Sequence, residues 1–367
     1  MRYIYQHSNW PHFTWNQEEI IQVLISAKFQ HGRLLGKMEN LGFDIQEEAI
    51  LETLTSEVTK SSEIEGEKLN SEEVRSSIAR HLGMDIAGLL PSDRHVDGIV
   101  EMMLDATQNY KKPLTKQRLC HWHAALFPTG LSGMMLVNPG MLRNDSEGPM
   151  QVVSGQYGKE KIHFQAPPAK QLPQYTKQFV QWFNQPPATI DPFIKAAIVH
   201  LWFVTLHPFD DGNGRIARAI TDMALAKAEN HASRFYSMST QIRKQRKSYY
   251  EILERTQKGT LDITPWLLWF LNCLQEAIIQ SESILGNVLN KTNFWKKHSG
   301  KSLNKRQIMM INILFGNFKG KLTSSKWAKM MKCSQDTAAR DINDLVGQGM
   351  LIKSKESGRS TNYLIKD

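Results

Sequence analysis

The stretch that most restricts how this chain can fold is a run of twelve residues, His207-Pro208-Phe209-Asp210-Asp211-Gly212-Asn213-Gly214-Arg215-Ile216-Ala217-Arg218. Glycine inside a helix costs about 1 kcal/mol relative to alanine. Gly212 and Gly214 therefore read as a loop that opens a helix, and the helix itself is expected over 215–229. Unpaired amides and the helix dipole make such an N-terminus a seat for anions. Glycine lets the backbone approach an oxygen closely. Arg215 and Arg218, three residues apart, project from one face at the start of that helix. Two cations there oppose the dipole unless an anion is bound, and arginine grips phosphate as a bidentate fork.

The remaining residues of the run add chemistry to the cradle. Asp211 offers a carboxylate of the kind that holds Mg²⁺ together with substrate phosphates. His207 titrates near neutrality and is a candidate to take a proton from an attacking hydroxyl. The parts are those needed to hold a nucleoside triphosphate and attack one of its phosphates.

The run matches H-P-F-x-(D/E)-G-N-G-R-x-x-R at every defined position, and in this the chain resembles the Fic family. The resemblance implies a mainly α fold: a Fic-type helical bundle core with a β-hairpin flap. It also implies transfer of AMP from ATP to a Tyr, Ser or Thr hydroxyl of a protein, with release of pyrophosphate. By that resemblance His207 is the general base and Asp211 holds Mg²⁺ between the α- and β-phosphates. Gly212, Asn213 and Gly214 form the anion hole, Arg215 and Arg218 grip the β/γ end, Phe209 anchors the core and Pro208 shapes the loop. Some family members carry Lys at the position of Gly214 and act as kinases, which glycine here disfavours.

Two further segments fit the same resemblance. Ser61-Ser62-Glu63-Ile64-Glu65-Gly66 is similar to the family's inhibitory motif, (S/T)-x-x-x-E-(G/N). It implies that Glu65 reaches Arg218 and denies it to the γ-phosphate, with Ser61 and Gly66 as the motif's ends. Read alone, the segment is an exposed helix end with Gly66 as C-cap. Residues 143–168 carry two β-leaning runs, Gln151-Val152-Val153 and Ile162-His163-Phe164, around a tip at 154–159. This resembles the Fic flap, with Val153 and Ser154 beside the nucleotide and a target peptide added as a strand. An ordinary surface hairpin is the alternative. Tyr249, Tyr250 and Gln257 stand where family members contact adenosine, Gln257 replacing the expected Asn. Core packing competes for one of the tyrosines.

The chain has 367 residues, enough for two or three domains. No apolar run reaches the length of a membrane span, and the N-terminus shows no signal peptide. Three scattered cysteines, Cys120, Cys273 and Cys333, point to a reducing cytoplasm and no zinc site. His121, His123 and His200 read as structural. The formal charge of +9 is concentrated: residues 296–367 hold 15 Lys and Arg against 5 Asp and Glu, while the rest holds 30 against 31.

Three domains are expected: a helical N-terminal domain over 1–90 containing the inhibitory motif, a catalytic domain over 91–290, and a winged helix–turn–helix-like domain over 296–367. Residues 1–90 resemble an uncharacterised domain often fused to Fic cores, or serve simply as a packing extension. Helices are expected at 17–42, 46–59, 95–110, 116–126, 170–184, 192–206, 305–315, 324–331 and 335–348, with a wing over 351–365. In the last domain Gln335, Thr337 and Arg340 would face bases and Lys353, Lys355 and Arg359 phosphates. A protein-interaction or dimerisation module of the same shape is the alternative. The whole then reads as an autoinhibited protein adenylyltransferase that uses ATP and Mg²⁺ and acts on a protein hydroxyl, its own included. The rivals are a nucleotide-sensing DNA-binding regulator and an enzyme that removes AMP. The oligomeric state, a homodimer among the choices, stays open.

Overall fold

Polar residues just ahead of apolar repeats set the helix starts. Asn70, Asp93, Thr115, Asp191, Ser237, Thr323 and Ser334 each accept a first-turn backbone N–H through the side chain, which satisfies one of the amides a helix leaves unpaired. The computed structural model describes residues 2–39, 42–84, 89–146, 148–155, 161–232, 234–315, 318, 320–354 and 361–366. The fold is mainly helical. In chain order its helices are α1 (Gln17–Glu39), α2 (Phe43–Ile64), α3 (Ser71–His81), α4 (Arg94–Gln108), α5 (Lys116–Leu126), α6 (Leu172–Asn184), α7 (Pro192–Leu206), α8 (Asn213–Glu229), α9 (Met238–Lys244), α10 (Arg246–Gln257), α11 (Thr264–Lys297), α12 (Lys305–Phe315), α13 (Ser324–Met330) and α14 (Gln335–Gly347).

Among the described residues the strands form three antiparallel pairs: β1 (Leu131–Ser132) with β2 (Met135–Leu136), β3 (Gln151–Ser154) with β4 (Lys161–Gln165), and β5 (Leu351–Lys353) with β6 (Tyr363–Ile365). Gln151 faces Gln165 and Val152 faces Phe164, and the register shifts between Val152 and Val153. The tip residues Gln156 to Lys159, and Lys355, Ser357, Gly358 and Arg359 farther on, lie outside the described residues.

By packing, the chain separates into two compact units. One comprises 1–41, 50–85 and 89–281, the other 42–49, 86–88 and 282–367. In the first, α7 reads PFIKAAIVHLWFVTL, apolar around most of its circumference, with Lys195, His200 and Thr205 as its polar residues. A helix of that kind must be buried, and its residues from Phe193 to Leu206 are so, Lys195 being partly exposed. α8 packs along it, its face from Ile216 to Ala226 buried as well. Where α7 ends and α8 begins lies the twelve-residue run. The N-terminal aromatics cover the hairpin: Tyr5, Phe164 and Ala166 form a small core with Tyr3, Trp10, Met150 and Val152.

The second unit has its own core of Phe294, Met310, Ile311, Leu322, Trp327, Ile342, Leu345, Met350 and Leu351, among others. A bridge between Leu322 and Tyr363 adds a third extended segment beside β5 and β6.

Two elements depart from the sequence reading near the run. α8 starts at Asn213 rather than Arg215, because Gly212 takes the left-handed backbone of the N-cap. α2 continues to Ile64 rather than stopping at Thr59, so Ser61–Ile64 is its last turn and Glu65 stands just past its end.

Candidate active site

α7 stops at His207, whose backbone is left-handed at φ 46° and ψ 57°. For a residue with a side chain that conformation costs on the order of 1–3 kcal/mol. Surrounding hydrogen bonds hold it. The His207 N–H donates to the Phe203 carbonyl at 3.1 Å, and the His207 carbonyl accepts from Arg143 Nε at 2.7 Å. Nδ1 lies 3.3 Å from the Val204 carbonyl, which assigns the proton to Nδ1 and the lone pair to Nε2. Burial lowers the pKa of the imidazole below its ordinary value, so at neutral pH the ring is an uncharged base.

The loop after His207 is rigid for reasons visible residue by residue. Phe209 is fully buried and stacks on the ring of His123 at 4.2 Å. Burial pushes the pKa of His123 down to about 4, so this neighbour carries no charge. Asn213 spends its amide on the loop itself, accepting from Phe209 N at 3.0 Å and donating to Phe209 O at 2.8 Å. Its side chain is thus committed to closing the loop. Gly212 has φ 75°, and a Cβ there would lie 2.9 Å from Phe127 Cε2, so glycine is required twice over.

The anion seat is occupied by protein. A Cβ on Gly214 would lie 2.0 Å from Glu65 Oε1. The carboxylate of Glu65 thus rests against the bare Cα of Gly214, at the opening of α8. Arg218, almost fully buried, donates from Nη2 to Glu65 Oε1 at 2.8 Å and to the Ser61 carbonyl at 3.0 Å, and from Nε to Ser61 Oγ at 2.8 Å. Its Nη1 is buried without a hydrogen-bond acceptor, as is Arg215 Nε. Orphaned guanidinium donors in a seat of this kind suit an anion with more oxygens than a carboxylate has. Gly66, at φ 92°, turns the chain away after Glu65.

Arg215 is held separately. Its Nη1 donates to Glu67 Oε2 at 3.1 Å, its Nη2 lies 3.6 Å from Asp211 Oδ2, and its guanidinium covers the Phe127 ring at 5.1 Å. The other oxygen of Glu67 contacts His95 Nε2. Burial alone would raise the pKa of Glu67, but the hydrogen bond and charge of His95, with Arg215, hold it low. The same hydrogen bond raises the pKa of His95. Asp211, about half exposed, accepts from Ser132 Oγ at 2.6 Å through Oδ2. Its Oδ1 accepts no hydrogen bond among the described residues, which fits a divalent cation held by one carboxylate and substrate phosphates.

The structure gathers Ser61, Glu65, Gly66, Gly214 and Arg218 at one point, with His207, Asp211 and Arg215 around the same loop. Tyr250 belongs with them: 37% exposed, its hydroxyl lies 3.4 Å from the Ile64 carbonyl and 3.5 Å from Glu65 Oε2. Tyr249 and Gln257 lie deeper in the packing than Tyr250. Tyr249 is buried with its hydroxyl 2.8 Å from His200 Nε2, and buried Gln257 donates to Val204 O and Thr205 Oγ1 of α7. Both pack against α7, and Tyr249 also borders the seat: burial raises its pKa, and its hydrogen bond with Arg218 offsets part of that rise. Val153 and Ser154 are exposed on β3 and make no hydrogen bond to the 207–218 run among the described residues; Ser154 Oγ contacts His163, which pairs with Glu254 of α10 at 2.6 Å. Sequence reasoning missed Glu67, His95, Ser132 and Arg143. Glu67 alone left a trace, as a second carboxylate two places after Glu65.

Residues 113–225 match the Fic/DOC family, and residues 3–84 match a domain of unknown function, DUF4172. Protein adenylyltransferase Fic of Drosophila sechellia is 30% identical over 103 residues, 28% of this chain and 19% of that protein. The matched part is thus about a fifth of the length of such relatives. In overall fold the chain is similar to a Fic family protein from Desulfovibrio desulfuricans, with TM-score 0.55 and 19% identity over 97% of this chain and 98% of that one. It is also similar to a Fic domain containing signaling protein from Bacteroides thetaiotaomicron, with TM-score 0.51 and 18% identity over 78% of this chain and 100% of that one.

Proposed function

The chain carries a Fic/DOC family domain at residues 113–225, and from that premise we propose that it is a protein adenylyltransferase restrained by its own Glu65. The observation that carries this reading is a carboxylate already seated on Gly214 and Arg218. A site that holds one oxyanion against a bare Cα at the start of a helix and on a guanidinium is built for another.

In the proposed reaction the hydroxyl oxygen of a protein side chain attacks the α-phosphorus of ATP. The bond from that phosphorus to the β-phosphoryl oxygen breaks, and pyrophosphate leaves. The hydroxyl proton passes to Nε2 of His207, which is neutral and free to accept it. The first-turn amides of α8 and the guanidiniums of Arg215 and Arg218 hold the phosphates and offset the charge that develops. Asp211 would hold Mg²⁺, which supplies further neutralisation of the phosphate oxygens when bound. Tyr250 borders the seat from the α10 side, and Val153 and Ser154 offer an open strand edge to a target peptide.

Replacing Glu65 by glycine tests the reading. Without the carboxylate, Arg218 is free for the γ-phosphate, and incorporation of labelled AMP is expected to rise on the order of 10- to 100-fold, the range of one or two charge-assisted hydrogen bonds. Equal incorporation by wild type and Glu65→Gly removes the restraint from the reading. Release of AMP from a modified acceptor by wild type but not by the variant would instead make Glu65 a residue that orients water.

A second activity is favoured by one observation in the C-terminal unit. Lys329, Lys332, Arg340 and Lys353 are exposed on α13, the following turn, α14 and β5, and none has an acidic partner among the described residues. Two of its acids are spent internally: Asp341 accepts from Nε and Nη2 of Arg306, and Asp344 accepts from Gln307 and Gln348. We read this face as one that binds duplex DNA.

A further inference from the structure

Arg143 sits far from the run in sequence and is almost wholly enclosed, its side chain 1% exposed. Every nitrogen of its guanidinium has a distinct partner. Nε donates to the His207 carbonyl at 2.7 Å, Nη2 to the Pro167 carbonyl at 2.6 Å, and Nη1 to Asp145 Oδ1 at 2.7 Å. Its backbone N–H donates to the Pro208 carbonyl at 3.0 Å. The second oxygen of Asp145 accepts from Ala169 N at 2.6 Å. One planar fork thus joins two segments: the left-handed turn that carries His207, and the chain that leaves β4 at the base of the hairpin.

Resting on the proposed adenylyl transfer, we propose that Arg143 is a positioning residue that sets the register between the base, His207, and the β3–β4 hairpin on which the target strand lies. The left-handed backbone of His207 is unfavourable by itself, and the carbonyl of that residue points where Arg143 can hold it. The imidazole direction follows from the backbone direction, as does the Nδ1 contact to Val204. If the target hydroxyl is delivered by the hairpin, its distance to Nε2 depends on both segments being tied to the same atoms. Lysine keeps the charge but is a point donor and cannot span three fixed acceptors in one plane.

The test uses the full chain with Glu65→Gly as parent. Arg143→Lys in that background is expected to lower kcat for AMP transfer on the order of 10- to 100-fold, the loss that about 1 Å of misplacement causes, while KM for ATP stays within about threefold. Asp145→Asn, which keeps the guanidinium but weakens its anchor, is expected to lose less, again in kcat. A readout independent of turnover is the ¹⁵N signature of the His207 ring: Nδ1-protonated in the parent, and a mixture of tautomers in Arg143→Lys. A parental kcat together with a parental tautomer overturns the proposal, as does a loss confined to KM or to thermal stability. If the parent transfers no AMP, the adenylyl-transfer reading falls on its own, and the tautomer still decides what Arg143 does.

Discussion

His207 shows how one residue's backbone and side chain are prepared for the same task. Its Nδ1 faces a carbonyl, its Nε2 is left open, and burial lowers its pKa. A base with a lowered pKa stays neutral to lower pH than an ordinary histidine, whose value is about 6.5. For the Glu65→Gly protein, the acid limb of kcat/KM is therefore expected below that value, with a flat region above it. His207→Ala should abolish transfer while leaving ATP affinity within about threefold; a limb centred above 6.5, or undiminished transfer by the alanine variant, removes His207 from the chemistry. Gly214 gives a sharper contrast. A methyl there would collide with the Glu65 carboxylate, so Gly214→Ala should dislodge Glu65 as surely as Glu65→Gly does. Yet the same methyl fills the seat a phosphate needs, so ATP binding is expected to weaken, not strengthen. A Gly214→Ala protein with raised AMP transfer would show that the phosphates lie elsewhere. Residues of the run were legible because their spacing is local: glycines, arginines and histidine within twelve positions share a loop whatever surrounds it. Arg143, Glu67, His95 and Ser132 were not, since each acquires its role from a partner that only folding brings near. The side-chain amide of Asn213 closes the loop onto Phe209, a role that its place between two glycines does not mark.

Among elements, α2 leads directly into the residue that fills the seat. Its last two turns are firmly held: Ser61, Ser62 and Ile64 are buried, and Glu57 accepts from Ser237 Oγ at 2.7 Å and Ser239 N at 3.0 Å at the start of α9. Arg246 donates to the Ile64 carbonyl at 2.7 Å, a cation at a helix C-terminus, where the dipole favours it. Glu65, beyond that end and about a third exposed, is held by Arg218 and the contact at Gly214. Releasing it needs a rotation of one side chain and no departure of the helix. Hydrogen exchange checks this: amides of 51–64 should remain protected when ATP is added to wild type or to Glu65→Gly. Loss of protection over those residues on nucleotide binding would mean that the helix itself leaves. The elements were unequally legible for a related reason. α5, α7 and α12 carry their limits in the sequence, as a capping Thr115 or Asp191 and an apolar repeat that stops. The break between α9 and α10 falls in Lys244-Gln245-Arg246, polar residues without glycine or proline, and has no marker. That break decides which way α10 faces, and hence why Tyr250 meets Glu65 while Gln257 turns toward α7.

At the scale of the whole molecule, charge is distributed by unit rather than spread. The excess of basic residues lies in 296–367, and there Asp341 and Asp344 are taken up by internal partners while several cations face outward. Charge of that kind raises affinity for any polyanion, so the decisive quantity is how binding depends on salt. A protein that neutralises Z phosphates of a duplex loses affinity with a slope of about −0.9Z in log K against log salt. For the full chain and a duplex of about 20 base pairs, contacts by Lys329, Lys332, Arg340 and Lys353 would give a slope of roughly −3 to −4. Reversing three of those charges, Lys329→Glu, Lys332→Glu and Arg340→Glu, should flatten the slope toward −1 and lower affinity more than tenfold at about 50 mM salt. The same variant should keep its AMP-transfer rate in the Glu65→Gly background, because its changes lie in the other compact unit. A slope near zero for the unaltered chain, or one unaffected by the charge reversals, would end the DNA reading and leave this face to a protein partner, for which salt dependence would be weaker and independent of duplex length.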